Sequence, residues 1–255
     1  MMPGPEPLEG VIARAVRLLE AFDSRSTSLT VSDLSRRAGL PLSTTSRMVA
    51  ELVRHGLLSR SDDGRRIRVG VRLWELGSRA APTRTLREAA LPFMEDLHAV
   101  IHHHVQLGVL DGQEVLFVER LSAHEAVINV TEVAGRLPLH ASSSGLVLLA
   151  YAPPEIQESV LVGRLRAFTS STITSSTELR TALAEIRRAG FGHTPGHIRD
   201  AAAGVAVPVR DTKERVVASL GVVVPNDDVA VRTVPALRAA AHGIQRAMAG
   251  TAAAE

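Results

Sequence analysis

From Leu40 to Ser59 the chain reads Leu-Pro-Leu-Ser-Thr-Thr-Ser-Arg-Met-Val-Ala-Glu-Leu-Val-Arg-His-Gly-Leu-Leu-Ser, a stretch with few folding options. Pro41 is compatible with a helix only before it or in its first turn, Ser43 can cap free backbone N–H groups there, and Gly56 ends the run. The spacing therefore predicts a helix over residues 41–55. Met48, Val49, Leu52 and Val53 recur at helical spacing and give that helix a face to bury, leaving Thr44, Ser46, Arg47, Glu51 and Arg54 outside. Hydroxyls and an arginine near a helix start suit the major groove of DNA, where backbone N–H groups reach phosphates and side chains read bases. Ser43, Thr44 and Arg47 are the candidate contacts; packing within the helix explains Thr45 and Ser46 as simply.

The flanking sequence extends this pattern. Val11, Ile12, Ala15, Leu18, Leu19 and Phe22 predict a first helix over residues 10–22. A second opens at Thr30-Val-Ser-Asp-Leu, capped by Thr30 or Ser32, and runs through Arg37 to the tight turn Ala38-Gly39-Leu40. After Gly56 the period changes to two, and Asp62-Asp63-Gly64-Arg65 separates two short alternating runs, a strong hairpin signal. A basic hairpin after a helix-turn-helix reads as a wing, with Arg65 and Arg66 positioned for phosphates or a minor groove; a solvated turn is the plainer reading. Residues 25–72 carry ten arginines against four acids, whereas residues 81–255 carry 16 basic and 18 acidic residues, so one end of the chain is built for a polyanion.

Behind this region the pattern is mixed. Residues 71–80 predict a short amphipathic helix, and Ala81-Pro82-Thr83 a boundary. A longer helix follows from Thr83 to about His102, with a kink or restart at Pro92. Strands are expected at Val105–Leu110, Glu114–Glu119, Ala126–Thr131, Leu137–His140, Gly190–Thr194, Gly204–Val209 and Val216–Val224. Helices are expected at Ser142–Ala152, Pro154–Val162, Thr177–Ala189 and Asp228–Met248. Meandering strands with helices grouped outside them indicate an α+β fold around an antiparallel sheet. The expected organisation is a disordered leader at 1–9, a winged helix-turn-helix domain at 10–70, a linker helix at 71–84, a second domain at 85–248 and a frayed tail at 249–255.

The chain has no cysteine, which excludes disulfides, thiolate metal sites and cysteine nucleophiles and suits a reducing cytoplasm. The N-terminus lacks the basic start and apolar core of a signal peptide, and no later run is apolar enough to cross a bilayer.

These residues resemble the IclR family of bacterial transcriptional regulators over nearly the whole chain, from about Val11 to Ala247. In the first half the resemblance rests on Ala13-Arg14-Ala15-Val16-Arg17-Leu18-Leu19, on Ala38-Gly39-Leu40-Pro41 with Ser43, Thr44 and Arg47, and on Leu52 with Gly56-Leu57-Leu58. In the second it rests on Gly135 to Gly145 (Gly-Arg-Leu-Pro-Leu-His-Ala-Ser-Ser-Ser-Gly), on Arg188-Ala-Gly-Phe191 and on Gly204-Val-Ala-Val-Pro208. The resemblance implies a GAF-like effector domain, homodimers or homotetramers, and binding to a palindromic double-stranded operator that a small molecule, often an organic acid, modulates. It implies neither a catalytic activity nor a cofactor. Three positions depart from the family pattern: Leu146 stands where lysine is usual, Pro195-Gly196-His197 where an acid is common, and Gly204 where many members carry a polar residue or cysteine.

For the effector, Ser142, Ser143 and Ser144 open a helix after a strand, and their backbone N–H groups could hold a carboxylate at a positive helix end; simple capping is the alternative. Matching the family's pocket position by position adds Leu139, Thr194, Gly204, Gly221 and Val223. Two other classes of function also have sequence features behind them. Ala141-Ser-Ser143-Ser-Gly145 resembles a damaged nucleophile elbow with His140 nearby, which would make a serine hydrolase-like enzyme, although no acid and histidine follow in a convincing order. His98 and His102 lie one helical turn apart beside His103 and His104, with His193 and His197 elsewhere, which would suit a metal-responsive regulator. Neither outweighs the reading as a DNA-binding regulator without catalytic or metal residues.

Overall fold

The computed structural model describes residues 10–23, 26–77, 81–123, 133–227 and 229–252. The expected leader, the strand expected at Ala126–Thr131 and the last three residues of the chain lie outside these. The chain forms two compact units, divided between Ala81 and Pro82.

The first unit contains helices α1 (Val11–Glu20), α2 (Val31–Ala38), α3 (Leu42–Arg54) and α4 (Val71–Gly77), with strands β1 (Ser28–Leu29), β2 (Leu58–Arg60) and β3 (Ile67–Val69). Leu18, Leu34, Val49, Leu58 and Ile67, one from each of five elements, are essentially sealed from solvent and form its core. Thr30, not Ser32, caps α2: its Oγ1 accepts the Asp33 N–H at 3.1 Å while the Asp33 carboxylate accepts the Thr30 N–H at 3.3 Å. Gly39, at φ +61°, ends α2 in the left-handed conformation that glycine adopts without strain. The cap expected at Ser43 is not made: Pro41 occupies the N-cap position of α3 and no side chain caps it, because Ser43 already stands on the second helical residue.

The hairpin is wider than its Asp-Gly pair predicts. Its connection spans Ser61–Arg66, closed by the Ser61 N–H on the Arg66 carbonyl at 2.9 Å, and an inner turn puts Gly64 at φ +66°. A third strand, β1, pairs antiparallel with β3 and gives the order β1-β3-β2. At Gly70 a Cβ would lie 2.0 Å from the Gly56 carbonyl oxygen, so only glycine lets the chain leaving the hairpin cross the end of α3.

The second unit is a three-layer structure around a six-stranded antiparallel sheet. Its strands are β4 (His104–Asp111), β5 (Glu114–Leu121), β6 (Arg136–Pro138), β7 (Gly192–Pro195), β8 (Ala202–Arg210) and β9 (Val216–Pro225), in the order β6-β5-β4-β9-β8-β7. Helix α5 (Ala81–Ile101) and the last helix, α9 (Val234–Ala252), cover one face, contributing Met94, Leu97, Leu237 and Ile244 against Val105, Val205, Leu220 and Val222. The other face carries α6 (Ser143–Ala150), α7 (Pro154–Leu161) and α8 (Ser176–Ala189). α6 is apolar on every side after its first turn and is buried along its whole length.

Two expectations need correction here. α5 does not restart at Pro92 but runs through it, with Leu86, Ala90, Met94 and Leu97 anchoring both sides of the proline in the core. The helix expected from Asp228 is a 3₁₀ turn at Ala230–Thr233 followed by α9, which continues to Ala252. Among the described residues no helix is long and apolar enough to cross a membrane.

Candidate functional sites

The first site is the outward face of α3 together with the hairpin. Thr45, Val49 and Leu52 point inward, and Ser43, Ser46, Arg47, Ala50 and Arg54 are exposed. Arg47 makes no hydrogen bond or ion pair among the described residues, whereas Arg54 is engaged with Glu51 one turn away. Thr44 sits to one side and lines a groove of about 540 Å³ between α1 and α3 with Arg14, Arg47 and Met48. Ser46, outside that groove, stands beside Arg47 on the exposed face, so helical phase, not the hydroxyl itself, separates Thr44 from Ser46.

The hairpin arginines differ. The Arg65 side chain is exposed and without a partner among the described residues, while its backbone N–H binds the Asp63 carboxylate at 3.0 Å. The Ser61 hydroxyl, that N–H and the nearby Arg66 charge hold the Asp63 carboxyl below the usual carboxylate range. Arg66 donates through Nη1 to the Ser28 carbonyl at 3.0 Å, which ties the hairpin to β1. Part of its guanidinium thus has a structural duty that a local reading of the hairpin could not detect, its partner lying 38 residues away.

The second site surrounds the start of α6. Ser142 accepts the Gly145 N–H at 3.1 Å and its carbonyl accepts the Leu146 N–H at 2.8 Å. The N–H groups of Ser143 and Ser144 remain as first-turn donors without an intrahelical acceptor. Gly145 is required because a Cβ there would lie 2.5 Å from the Leu139 carbonyl oxygen, so α6 rests directly on the backbone of the preceding segment. The Ser144 hydroxyl is fully buried and has no hydrogen-bond partner among the described residues.

Strand register brings the other expected pocket residues here. Thr194 pairs with Gly204, Gly204 with Val223, and Gly221 with Ala206, on the sheet face that carries α6. A Cβ on Gly204 would lie 2.7 Å from Ser143 Oγ and 2.8 Å from Thr194 Oγ1, and one on Gly221 would lie 2.9 Å from Ser144 Oγ. The two glycines therefore hold open the space into which the serine hydroxyls project. Leu139 belongs instead to the apolar cluster beneath α6. His104 and Gln106 were not expected at this site: both are buried, and they pair with Val223 and Gly221 on the same face. The alternation His104-Val-Gln106-Leu-Gly108, polar or small against apolar, was the signal for them.

The remaining candidates separate. His140 Nε2 lies 3.0 Å from the Arg166 carbonyl, and among the described residues no histidine is hydrogen-bonded to Ser143, so the elbow-like segment lacks a base. His98 and His102 are joined only through the backbone, where the His102 N–H binds the His98 carbonyl. Among the described residues no group of three or more histidines or carboxylates is placed to hold a metal. His140 and His193 do bear on His197: burial, then the His193 and His140 charges, lower the His197 pKa to about 4.

Comparison with known proteins adds the following. The model of the IclR helix-turn-helix domain matches residues 11–62, and that of the bacterial transcriptional regulator IclR C-terminal domain matches residues 79–247. The HTH-type transcriptional regulator XynR of Escherichia coli is 29% identical over 215 residues, covering 84% of this chain and 85% of the relative. The Pca regulon regulatory protein of Pseudomonas putida is 27% identical over 214 residues, covering 83% and 72%. A crystal structure of an IclR homolog complexed with 4-hydroxybenzoate, from Microbacterium hydrocarbonoxydans, is 47% identical with a TM-score of 0.90, covering 94% of this chain and all of that one.

Proposed function

The chain belongs to the IclR family of bacterial transcriptional regulators, and from that premise we propose that it is a cytoplasmic homodimer or homotetramer whose α3 helices read a palindromic operator and whose second unit senses a small aromatic carboxylate. The observation that carries the ligand half is the buried Ser144 hydroxyl, without a partner among the described residues, beside two first-turn N–H donors and against a sheet surface where Gly204 and Gly221 make room for the serine hydroxyls. A carboxylate fits this end of α6, because helix N-terminal N–H groups bind anions without needing a cationic side chain. Val223 and Ala206 offer apolar surface for the rest of the molecule. The 47%-identical homolog complexed with 4-hydroxybenzoate supports the same chemical class.

On the DNA side, Ser43, Arg47 and Arg65 are the principal contacts, Thr44 lies at the flank, and Arg66 combines a phosphate contact with its tie to Ser28. Thr194 and Ser143 complete the polar end of the pocket, Ser142 shapes it as a cap, and Leu139 supports it from below. The protein catalyses no reaction; ligand binding changes its affinity for DNA. Selecting genomic fragments with the purified full-length protein, then titrating a selected fragment with and without 4-hydroxybenzoate, tests this directly. Recovery of one inverted repeat whose affinity responds to the ligand is expected, and recovery of no common sequence would refute the reading.

A further inference from the structure

A second, separate cleft lies at the other end of α6. β7 covers β8 only as far as Ala206, so on the side away from β9 the edge of β8 from Val207 to Arg210 has no strand beside it among the described residues. Tyr151 at the end of α6, Gly190 at the end of α8, and Arg238, His242 and Gln245 of α9 close around that edge, leaving a cleft of about 190 Å³. It lies roughly 12 Å from the serines that open α6, the length of an eight-residue helix.

Two arginines converge there, each already held on an aromatic face. The Arg210 guanidinium lies 5.0 Å from the Tyr151 ring centre and donates through Nη1 to the Glu214 carbonyl at 2.7 Å. The Arg238 guanidinium lies 5.9 Å from the Phe191 ring centre and donates through Nη2 to the Ala189 carbonyl at 2.5 Å. Neither is paired with a carboxylate among the described residues. The acids at the rim are otherwise engaged: Asp211 with Arg215 and its own loop, and the Glu214 carboxylate with Gln245 at 2.8 Å. Stacking and a single carbonyl bond fix each guanidinium while leaving further N–H groups available, the arrangement that suits a planar or tetrahedral oxyanion.

We propose that this cleft between Arg210 and Arg238 is a binding site for a small oxyanion, a carboxylate or a phosphate. It is independent of the pocket at the start of α6. Two fixed cations beside a half-buried tyrosine and an imidazole give charge and hydrogen-bond donors on one side, and Val207, Pro208 and Ala241 give an apolar floor.

Tyr151 is the only tyrosine in the chain, so 3-fluorotyrosine labelling of the full-length protein places a single ¹⁹F resonance in this cleft. Titration with inorganic phosphate and, separately, with acetate, at ionic strength held constant with chloride, should give a saturable shift. The anion that saturates at lower concentration identifies the source. Arg210→Gln combined with Arg238→Gln should raise the half-saturating concentration about tenfold or more, the scale of losing charge-assisted bonds. Glu214→Gln, which removes a negative charge at the rim, should lower it, a gain that misfolding cannot imitate. Linear drift with both anions, an unchanged midpoint in the double variant, or an unchanged midpoint in Glu214→Gln would overturn the assignment.

Discussion

Ser143 and Gly204 approach so closely across the α6–β8 contact that a Cβ on the glycine would lie 2.7 Å from the serine Oγ. Gly204 does not need its conformational freedom, since its φ is not positive; what it supplies is space. Gly204→Ala should therefore fold, displace the Ser143 hydroxyl and shrink the polar end of the proposed pocket. The expected result is an effector affinity weaker by about 1–2 kcal/mol, read by isothermal titration with 4-hydroxybenzoate, with operator affinity in the absence of ligand unchanged.

Ser144 permits a test in which stability and function move in opposite directions. Its buried hydroxyl has no partner among the described residues, a state that costs about 1–3 kcal/mol when a polar group is sealed from water. Ser144→Ala should leave the ligand-free protein equally stable or up to about 1 kcal/mol more stable in urea unfolding. The same variant should gain less stability from added ligand than the parent. A large destabilisation would mean that the hydroxyl holds the fold together instead of meeting a ligand.

On α3 the exposed and inward positions should separate cleanly. Arg47→Ala should weaken operator binding by about 1–3 kcal/mol if the arginine reads a base edge. Thr45→Val, at a fully buried position whose hydroxyl has no hydrogen-bond partner among the described residues, should leave operator affinity unchanged. Arg65→Ala should weaken binding to all sequences alike and reduce the salt slope by about one. Arg66→Ala should also lower thermal stability, because it releases the hairpin from Ser28. Fluorescence anisotropy across a salt series, beside a melting curve, distinguishes these outcomes.

The buried histidines set a direction for pH dependence. His197 has its pKa lowered from 6.5 to about 4, mainly by burial and then by His193 and His140, which are themselves lowered by burial. The folded protein therefore refuses a proton that the unfolded chain accepts. The stabilisation is complete above pH 6.5 and is lost progressively as pH falls toward 4, on the order of 3 kcal/mol over that window. Urea unfolding at pH 7 and pH 5 should show a loss that is smaller by about 1–2 kcal/mol in His197→Gln. An identical loss in parent and variant would assign the acid sensitivity elsewhere.

What could be read in advance follows the range of the interactions. The capping box at Thr30 and Asp33, the stop at Gly39 and the buried phase of Val49 and Leu52 depend on neighbours within one or two turns, and their signals lie in adjacent letters. The Arg66 bond to Ser28 depends on β1, a strand of two residues with no periodicity to betray it. Pro92 suggested a break because a lost backbone bond is a local penalty, whereas the apolar residues that keep α5 continuous derive their effect from a sheet distant in sequence. The surroundings of the α6 start were partly legible: Ser142–Ser144 follow from the strand-to-helix junction, Gly204 and Gly221 from the family resemblance, and His104 and Gln106 required the β4–β9 register.

The most direct test of the whole account is an equilibrium titration of full-length protein on a genomically selected operator, with and without 4-hydroxybenzoate, for the parent, Arg47→Ala and Gly204→Ala. Ligand should shift the parent's operator affinity by about 1–3 kcal/mol, the usual scale of coupling between two sites. Arg47→Ala should lose operator binding, and Gly204→Ala should bind the operator normally while requiring more ligand for the same shift. Superimposable parent isotherms with and without ligand, together with full operator affinity in Arg47→Ala, would contradict both the assigned reading helix and the assigned pocket.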